Sequence, residues 1–367
     1  MSREVVIISG ITHPLLADLI CNRLGMKRCP ITLFRAANRE TLITLPESVR
    51  SRDVYIVQTA TRTNVNDAIM ELLLMGYTCK TSAAKNIVGI IPYLPYGKQT
   101  KQRKRGAIPS KLLAKLICRA GFTHIVTVDL HHREIQGFFD IPVENLRASP
   151  FLISHVQEIM LEQNIDRSQL VVVARHTSSM KKATAYASRL RTDIAVLHGS
   201  TEGEMDDNDD GRSSPPPIRS FEMAPGDSLP MFTSHDVFRP DRRLNLVGDV
   251  VGKIAIIVDD ILDDVEQFIV AARFLKESHG AHQVIVLATH ALFSPNEAIR
   301  LEQSVIDQIV VTNTVPTQQD NDNDNQANIQ FTKLKIIDIG ILLTEAIRRL
   351  HNQESLSYLF NDVSVED

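Results

Sequence analysis

The stretch I-A-I-I-V-D-D-I-L-D-D-V-E-Q, from Ile254 to Gln267, decides how the rest of the chain reads. Its first five residues are an unbroken apolar run, the pattern of a strand buried on both faces. Asp259 and Asp260 follow at the end of that run, with Asp263 three positions on. Adjacent carboxylates at the end of a buried strand accept hydrogen bonds from ribose hydroxyls. The loop beyond them cradles a phosphate with backbone N–H groups and a hydroxyl. Here the carboxylates stand and the cradle does not. Asp264, Glu266 and Gln267 occupy the positions where a phosphate needs a hydroxyl and a glycine. Ionised Asp264 and Glu266 repel a phosphate dianion and have no proton to donate to it.

Working outward, short β-branched runs recur at residues 5–8, 54–57, 87–91, 125–128, 170–174, 194–197, 254–258, 284–288, 309–311 and 335–337. Amphipathic stretches with helical spacing lie between many of them. In residues 111–119 the pattern places Leu112, Leu113, Leu116 and Ile117 on one side and lysines on the other. Strands alternating with helices predict parallel sheets covered on both faces. The pattern breaks near residues 146–151, the expected joint between two similar α/β halves. In such sheets ligands sit beyond the carboxyl ends of strands, where the Asp259 and His131 motifs fall.

The chain has 367 residues, 43% hydrophobic and 23% charged, enough for two packed domains. A net charge of −4 argues against nucleic acid as the main partner. The four cysteines, Cys21, Cys29, Cys79 and Cys118, form no C-x-x-C pair and read as reduced structural thiols of a cytoplasmic protein. The first residues enter a strand at once, so no signal peptide is expected, and no apolar run approaches the ~20 residues that span a bilayer. Residues 199–240 hold an acidic run from Glu202 to Asp210 and then R-S-S-P-P-P at 212–217. That composition buries little apolar area and predicts disorder. Ser214, two residues after Arg212 and just before Pro215, reads as a proline-directed kinase site or as plain linker, beside Ser213. Residues 318–328, with four Asn and three Asp, read as a surface loop.

The D-D-I-L-D-D segment resembles the phosphoribosyl-pyrophosphate (PRPP) motif of the ribose-phosphate pyrophosphokinases. The resemblance extends over nearly the whole chain. It is carried by S-G-I-T-H (9–13), S-V-R (48–50), N-D (66–67), P-Y-L-P-Y (92–96) and V-D-L-H (128–131). Further along it is carried by I-Q-G-F-F-D-I-P-V-E-N-L (135–146), V-V-T-N-T-V-P (310–316) and E-A-I-R-R-L-H-N-Q-E-S (345–355). K-Q-T-K-Q-R-K-R-G (98–106), D-D-V-E (263–266) and S-S-P-P-P resemble the non-catalytic, synthetase-associated branch of that family. The resemblance implies an α/β chain of two similar type I phosphoribosyltransferase-like domains, residues 1–147 and 148–317. The second carries the insert 199–240, and residues 318–367 pack back on the body.

Set against the family's pattern, the ligand positions are altered one after another. A loop Lys and Arg that neutralise the transferred phosphates are expected after residues 194–197. Here Gly199, Ser200, Thr201 and Glu202 follow His198. Losing such a group costs about 10²–10³ in rate. The Pro-Asp-Ala-Gly-Gly loop is replaced by Arg175, His176, Thr177, Ser178 and Ser179, which hinders close backbone approach. His176 there is a new ligand or, more plainly, a loop residue. At the adenine site Asn38 and Glu40 remain, but Ala36 stands in place of an aromatic whose stacking is worth ~1–3 kcal/mol. Lys98 and Gln99 stand for the family's Arg-Gln pair and keep the charge without the bidentate fork. The basic loop 98–105 could bind nucleotide phosphate, RNA or an acidic surface, or is a solvated nucleotide-loop remnant. Asp129, His131, Asp140 and Glu144 match positions around Mg²⁺, or serve only to organise the fold.

The reading that follows is a pseudoenzyme. It associates with catalytic PRPP synthetase subunits and with other associated-protein subunits, and it modulates PRPP and nucleotide synthesis. The rivals are an active ribose-phosphate pyrophosphokinase and a nucleic-acid or scaffold protein using the basic loop.

Overall fold

The computed structural model describes residues 5–102, 105–176, 179–199, 244–317 and 331–360. Two parallel sheets carry them. The first runs β1 (Val5–Ser9), β4 (Asp53–Val57), β5 (Asn86–Ile91), β6 (His124–Val128) and β7 (Val143–Leu146), side by side in that order. Between β1 and β4 in the chain, β2 (Thr32–Arg35) and β3 (Thr41–Thr44) pair as a separate antiparallel hairpin.

The second sheet has seven strands, in the order β10 (Leu244–Val247), β9 (Asp193–Gly199), β8 (Leu170–Ala174), β11 (Ile254–Leu262), β12 (Gln283–Ala291), β13 (Gln308–Thr312) and β14 (Leu334–Ile337). All its pairings are parallel except β10 on β9, which is antiparallel.

The apolar runs form strands because both faces of each sheet are covered. Val5 and Ile7 enter one core, while Val6 and Ile8 enter another on the opposite face. Val171 and Val173 do the same against Val172 and Ala174 in the second sheet. A period of two with apolar residues on both sides leaves no polar alternation to see.

Helix α1 (Pro14–Arg23) covers one face of the first sheet, and α2 (Val65–Thr81) and α3 (Pro109–Ala120) cover the other. On the second sheet α4 (Ser149–Glu162) and α5 (Met180–Leu190) share one core, while α6 (Val265–Arg273) and α7 (Pro295–Glu302) share the opposite one. Helix α8 (Gly340–His351) returns from the end of the second sheet to lie beside α1. It sends Leu342, Leu343, Ala346 and Ile347 into the same core as α1.

The apolar side of α3 differs from the expected one. Leu113 and Ile117 are buried, but Leu112 and Leu116 point to solvent. At 100° per residue, Leu113, Ala114, Ile117 and Ala120 already fill the buried stripe, and the 112/116 pair lies on its flank. Gly121, at φ +112°, takes the left-handed conformation that ends the helix.

The carboxyl ends of the two sheets face each other. The Tyr93 ring, beyond β5, packs against His290 of β12 with 5.0 Å between centroids and 57° between the ring planes. His13 Nε2 lies 3.0 Å from the Asn313 carbonyl, and Arg62 pairs with Glu297. Cys21, Cys29 and Cys79 are buried and Cys118 is half-buried, all as free thiols. Burial pushes the Cys21 and Cys29 thiols up to about 11 and Cys79 to about 12, so they stay protonated at neutral pH. Among the described residues no helix is long and apolar enough to cross a membrane.

Candidate functional site: buried acids paired from within

β11 is longer than its apolar run. It continues past Val258 to Leu262, still in register with β12 at Ile261↔His290 and Leu262↔Ala291. Asp259 and Asp260 therefore sit on the strand itself. Each of them meets a cation of this chain.

Asp259 Oδ2 accepts from Arg175 Nε at 3.1 Å and Nη2 at 2.7 Å. Arg175 also donates through Nη1 to Gln267 Oε1. Its guanidinium lies over the Phe268 ring, 4.3 Å from the centroid. Arg175 is the first residue after β8, and the β8–β11 pairing puts Ala174 beside Val258. The planar guanidinium suits this place because one side chain can hold a carboxylate, an amide and a ring face together.

Asp260 is shared. Its Oδ1 takes the Lys182 ammonium, from the first turn of α5. Its Oδ2 lies 3.2 Å from His131 Nδ1, which follows β6 in the other half. Lys182 also donates to the Asp259 carbonyl at 3.3 Å. Burial opposes ionisation of Asp260, but the Lys182 charge and the hydrogen bonds from His131 and Lys182 together outweigh it and hold the carboxyl well below the usual range. Burial likewise opposes the Lys182 charge, and Asp260 and Asp129 together hold its pKa above the ordinary value. Both directions say that the pair is ionised. Deeper still, the Tyr186 hydroxyl is buried without a hydrogen-bond partner, and burial raises its pKa.

Asp263 pairs with Lys98 at 2.6 Å, which ties the start of the basic loop to the end of β11. The acids that invert the cradle are matched too. Glu266 pairs with Arg300 on α7, and Gln267 Nε2 donates to Asp264 at 2.7 Å.

The four residues expected around Mg²⁺ do not converge. Asp129, at φ +43°, turns its Oδ2 onto the Thr289 hydroxyl at 2.7 Å and the Ala148 N–H at 3.2 Å. Asp and Asn are among the residues that adopt this left-handed conformation. His131 faces Asp260 as described. Glu144 lies on β7 and faces His124 at 3.6 Å. Asp140 is exposed in the turn before β7. Alternation along β7 and the turn length send the last two elsewhere. Among the described residues no three His, Cys, Asp or Glu side chains form a cluster that could hold a metal ion. Mg²⁺ requires an octahedron of oxygens at about 2.0–2.1 Å. Here both Asp260 oxygens are already committed, so the residues present do not fit the ion.

Asn38 and Glu40, the residues expected at an adenine site, are apart from this centre. Asn38 and Glu40 are exposed at the tip of the β2–β3 hairpin, where Glu40 N–H donates to Asn38 Oδ1 at 3.1 Å. They form no hydrogen bond with Lys98 or Gln99; the Gln99 carbonyl accepts from the Ser110 hydroxyl at the start of α3. His176 closes a local turn, its carbonyl accepting from Ser179 Oγ at 2.9 Å. The residues after Gly199, the insert with Ser213 and Ser214, Thr177, Ser178 and the polar stretch 318–328 lie outside the described residues.

Residues 5–121 match the N-terminal domain of ribose phosphate pyrophosphokinase, and residues 166–361 match the phosphoribosyl synthetase-associated domain. The chain is 48% identical to human phosphoribosyl pyrophosphate synthase-associated protein 2, covering 96% of this chain and 91% of that one. It is 47% identical to the bovine associated protein 1, covering 96% and 94%. The chain belongs to the PRPP synthase-associated family.

Ribose-phosphate pyrophosphokinase 1 of Schizosaccharomyces pombe is 35% identical, over 98% of this chain and 99% of that one. The crystal structure of the Mycobacterium smegmatis PRPP synthetase superposes with a TM-score of 0.77 at 29% identity, covering 96% and 100% of the two chains. The associated-family chain thus has the phosphoribosyltransferase-like fold of a synthetase. Two of its site residues, Arg175 and Lys182, were not singled out as counterions by sequence reasoning. The available signals were an arginine opening the loop after β8 and the M-K-K start of the next helix. Neither shows its carboxylate partner, which lies 84 or 78 residues away.

Proposed function

We propose that this chain is a catalytically inactive regulatory subunit. It associates with catalytic PRPP synthetase subunits, and with other associated-protein subunits, in the cytoplasm. There it modulates PRPP formation in the direction of restraint. The observation that carries the reading is the filled centre. Asp259, Asp260 and Asp263, which would receive ribose 5-phosphate, are held by Arg175, Lys182 and Lys98 of the same chain. Asp264 and Glu266 follow where the phosphate would lie. The synthetase-like fold around that centre supports association, because a relative with the same architecture can occupy a subunit position in a symmetric assembly.

The test uses the purified chain alone and then mixed with a catalytic synthetase. Alone, with ATP, Mg²⁺ and ribose 5-phosphate, it forms no PRPP. Mixed at micromolar concentration, the two co-elute on size exclusion and the PRPP output of the synthetase falls. Turnover by the chain alone within about 100-fold of an ordinary synthetase overturns inactivity. Independent elution at every ratio overturns association.

A further inference from the structure

We propose that Arg175 and Lys182 are built-in counter-cations of the ribose-phosphate centre, which therefore admits no divalent cation and keeps its shape without one. The inference rests on reading that centre as non-catalytic. Its test reads metal binding in the chain alone, so it can fail while association with a synthetase holds, and the reverse.

The argument begins with the acids. Asp129, Asp259 and Asp260 are largely buried where the two sheets meet, and buried carboxylates need partners. A ligand-binding centre commonly supplies them from outside, as a metal ion and the donors of a substrate. Here the chain supplies them. Arg175 is only 10% exposed and is fixed on three sides, by Asp259, Gln267 and Phe268. Lys182 reaches Asp260 and the Asp259 carbonyl, within the field of Asp129.

Two consequences follow. A divalent cation placed between Asp259 and Asp260 would sit within a few ångströms of two full positive charges and would have to displace them. Like charge at that distance strongly disfavours a second ion. Conversely, the centre needs no ion to offset its own repulsion. His131 from the first half meets Asp260 from the second, and Asp129 meets Thr289, so groups of the chain itself join the halves here.

Mn²⁺ is the probe, titrated into the full chain at neutral pH and low salt and followed by the paramagnetic signal of the free ion. The unaltered chain binds no Mn²⁺ up to about 1 mM, the weak end of protein divalent sites. The double variant Arg175→Gln/Lys182→Met gains one Mn²⁺ site, and adding Asp259→Asn and Asp260→Asn removes it. A site in the unaltered chain that Asp260→Asn abolishes overturns the proposal. So does a folded double variant that binds no Mn²⁺. Should the double variant not fold, Arg175→Gln alone serves. Millimolar Mg²⁺ then raises its Tm by about 2–4 °C and leaves the unaltered chain unmoved. No rise in Arg175→Gln, or an equal rise in both, overturns the proposal.

Discussion

The end of β11 and the tip of the β2–β3 hairpin both carry carboxylates, in opposite settings. At β11, Asp259 and Asp260 are largely buried and are paired with Arg175 and Lys182 of the same chain. At the hairpin Asn38 and Glu40 are left in solvent. Burial accounts for the difference. A charge on an exposed tip is answered by water, so losing its partner costs little. A carboxylate between two sheets has no such recourse and must be removed or paired. The two regions should therefore respond to substitution on different scales.

The largest effect is expected at Lys182. Lys182→Met leaves Asp260 ionised with only His131 beside it, and breaking a buried pair from one side costs about 3–5 kcal/mol. Asp260→Asn in the same chain removes the stranded charge. The double variant should then recover much of that loss in urea denaturation. If Lys182→Met costs under about 1 kcal/mol, or the two changes add without coupling, the acids are not dependent on their internal cations. The contrast with the hairpin then collapses.

The next effect is read by pH. His290 is buried between Tyr93 and the Asp129–Asp260–Lys182 group, with Nδ1 2.9 Å from the Thr314 hydroxyl. Burial, only partly offset by Asp129 and Asp260, lowers its pKa from 6.5 to about 4. The unfolded chain takes up a proton near 6.5 that the folded chain refuses until about 4. Stability from this group is thus present above 6.5 and is lost as pH falls across that window, by up to ~3 kcal/mol. The variant His290→Asn lacks the titration. The stability gap between the unaltered chain and that variant should shrink steadily from pH 7 to pH 4. A gap that does not change with pH shows that the ring is solvated and the interface between the sheets is wet.

Much of the fold was legible because parallel strands covered on both faces are apolar runs. All ten runs read from the sequence are strands, within a few residues at each end. What was missed lacks such a run. β2 and β3 alternate exposed and half-buried residues on a peripheral hairpin, β7 is the polar V-E-N-L, and β10 is L-N-L-V beside the insert. The α3 stripe was misjudged at Leu112 and Leu116 because four apolar residues within six positions define more than one face. In the site, Asp259, Asp260, Asp263 and His131 were visible from motif and spacing. Their partners were not, because the β8–β11 pairing, not sequence proximity, brings Arg175 to Asp259. Glu144 and Asp140 were carried into the metal set by motif alone, and the direction of β7 turns Glu144 toward His124.

The smallest effects fall at the exposed pairings, and they grade the comparison. Lys98 and Asp263 lie 2.6 Å apart, but each is about one-third exposed or more, so Lys98→Ala should cost ~0.2–1 kcal/mol and less in high salt. Asn38→Ala removes one hydrogen bond within a solvent-exposed turn, the one Glu40 N–H donates. Water replaces that acceptor, and the turn retains its backbone bond from Ala36 N–H to the Glu40 carbonyl at 2.8 Å. Its cost should stay within about 0.5 kcal/mol, below that of Lys98→Ala at low salt. Urea denaturation of the two variants side by side checks the order. If Asn38→Ala proves the costlier, the hairpin tip is held by more than its own turn. Solvent exposure then cannot be what sets the hairpin tip apart from the end of β11.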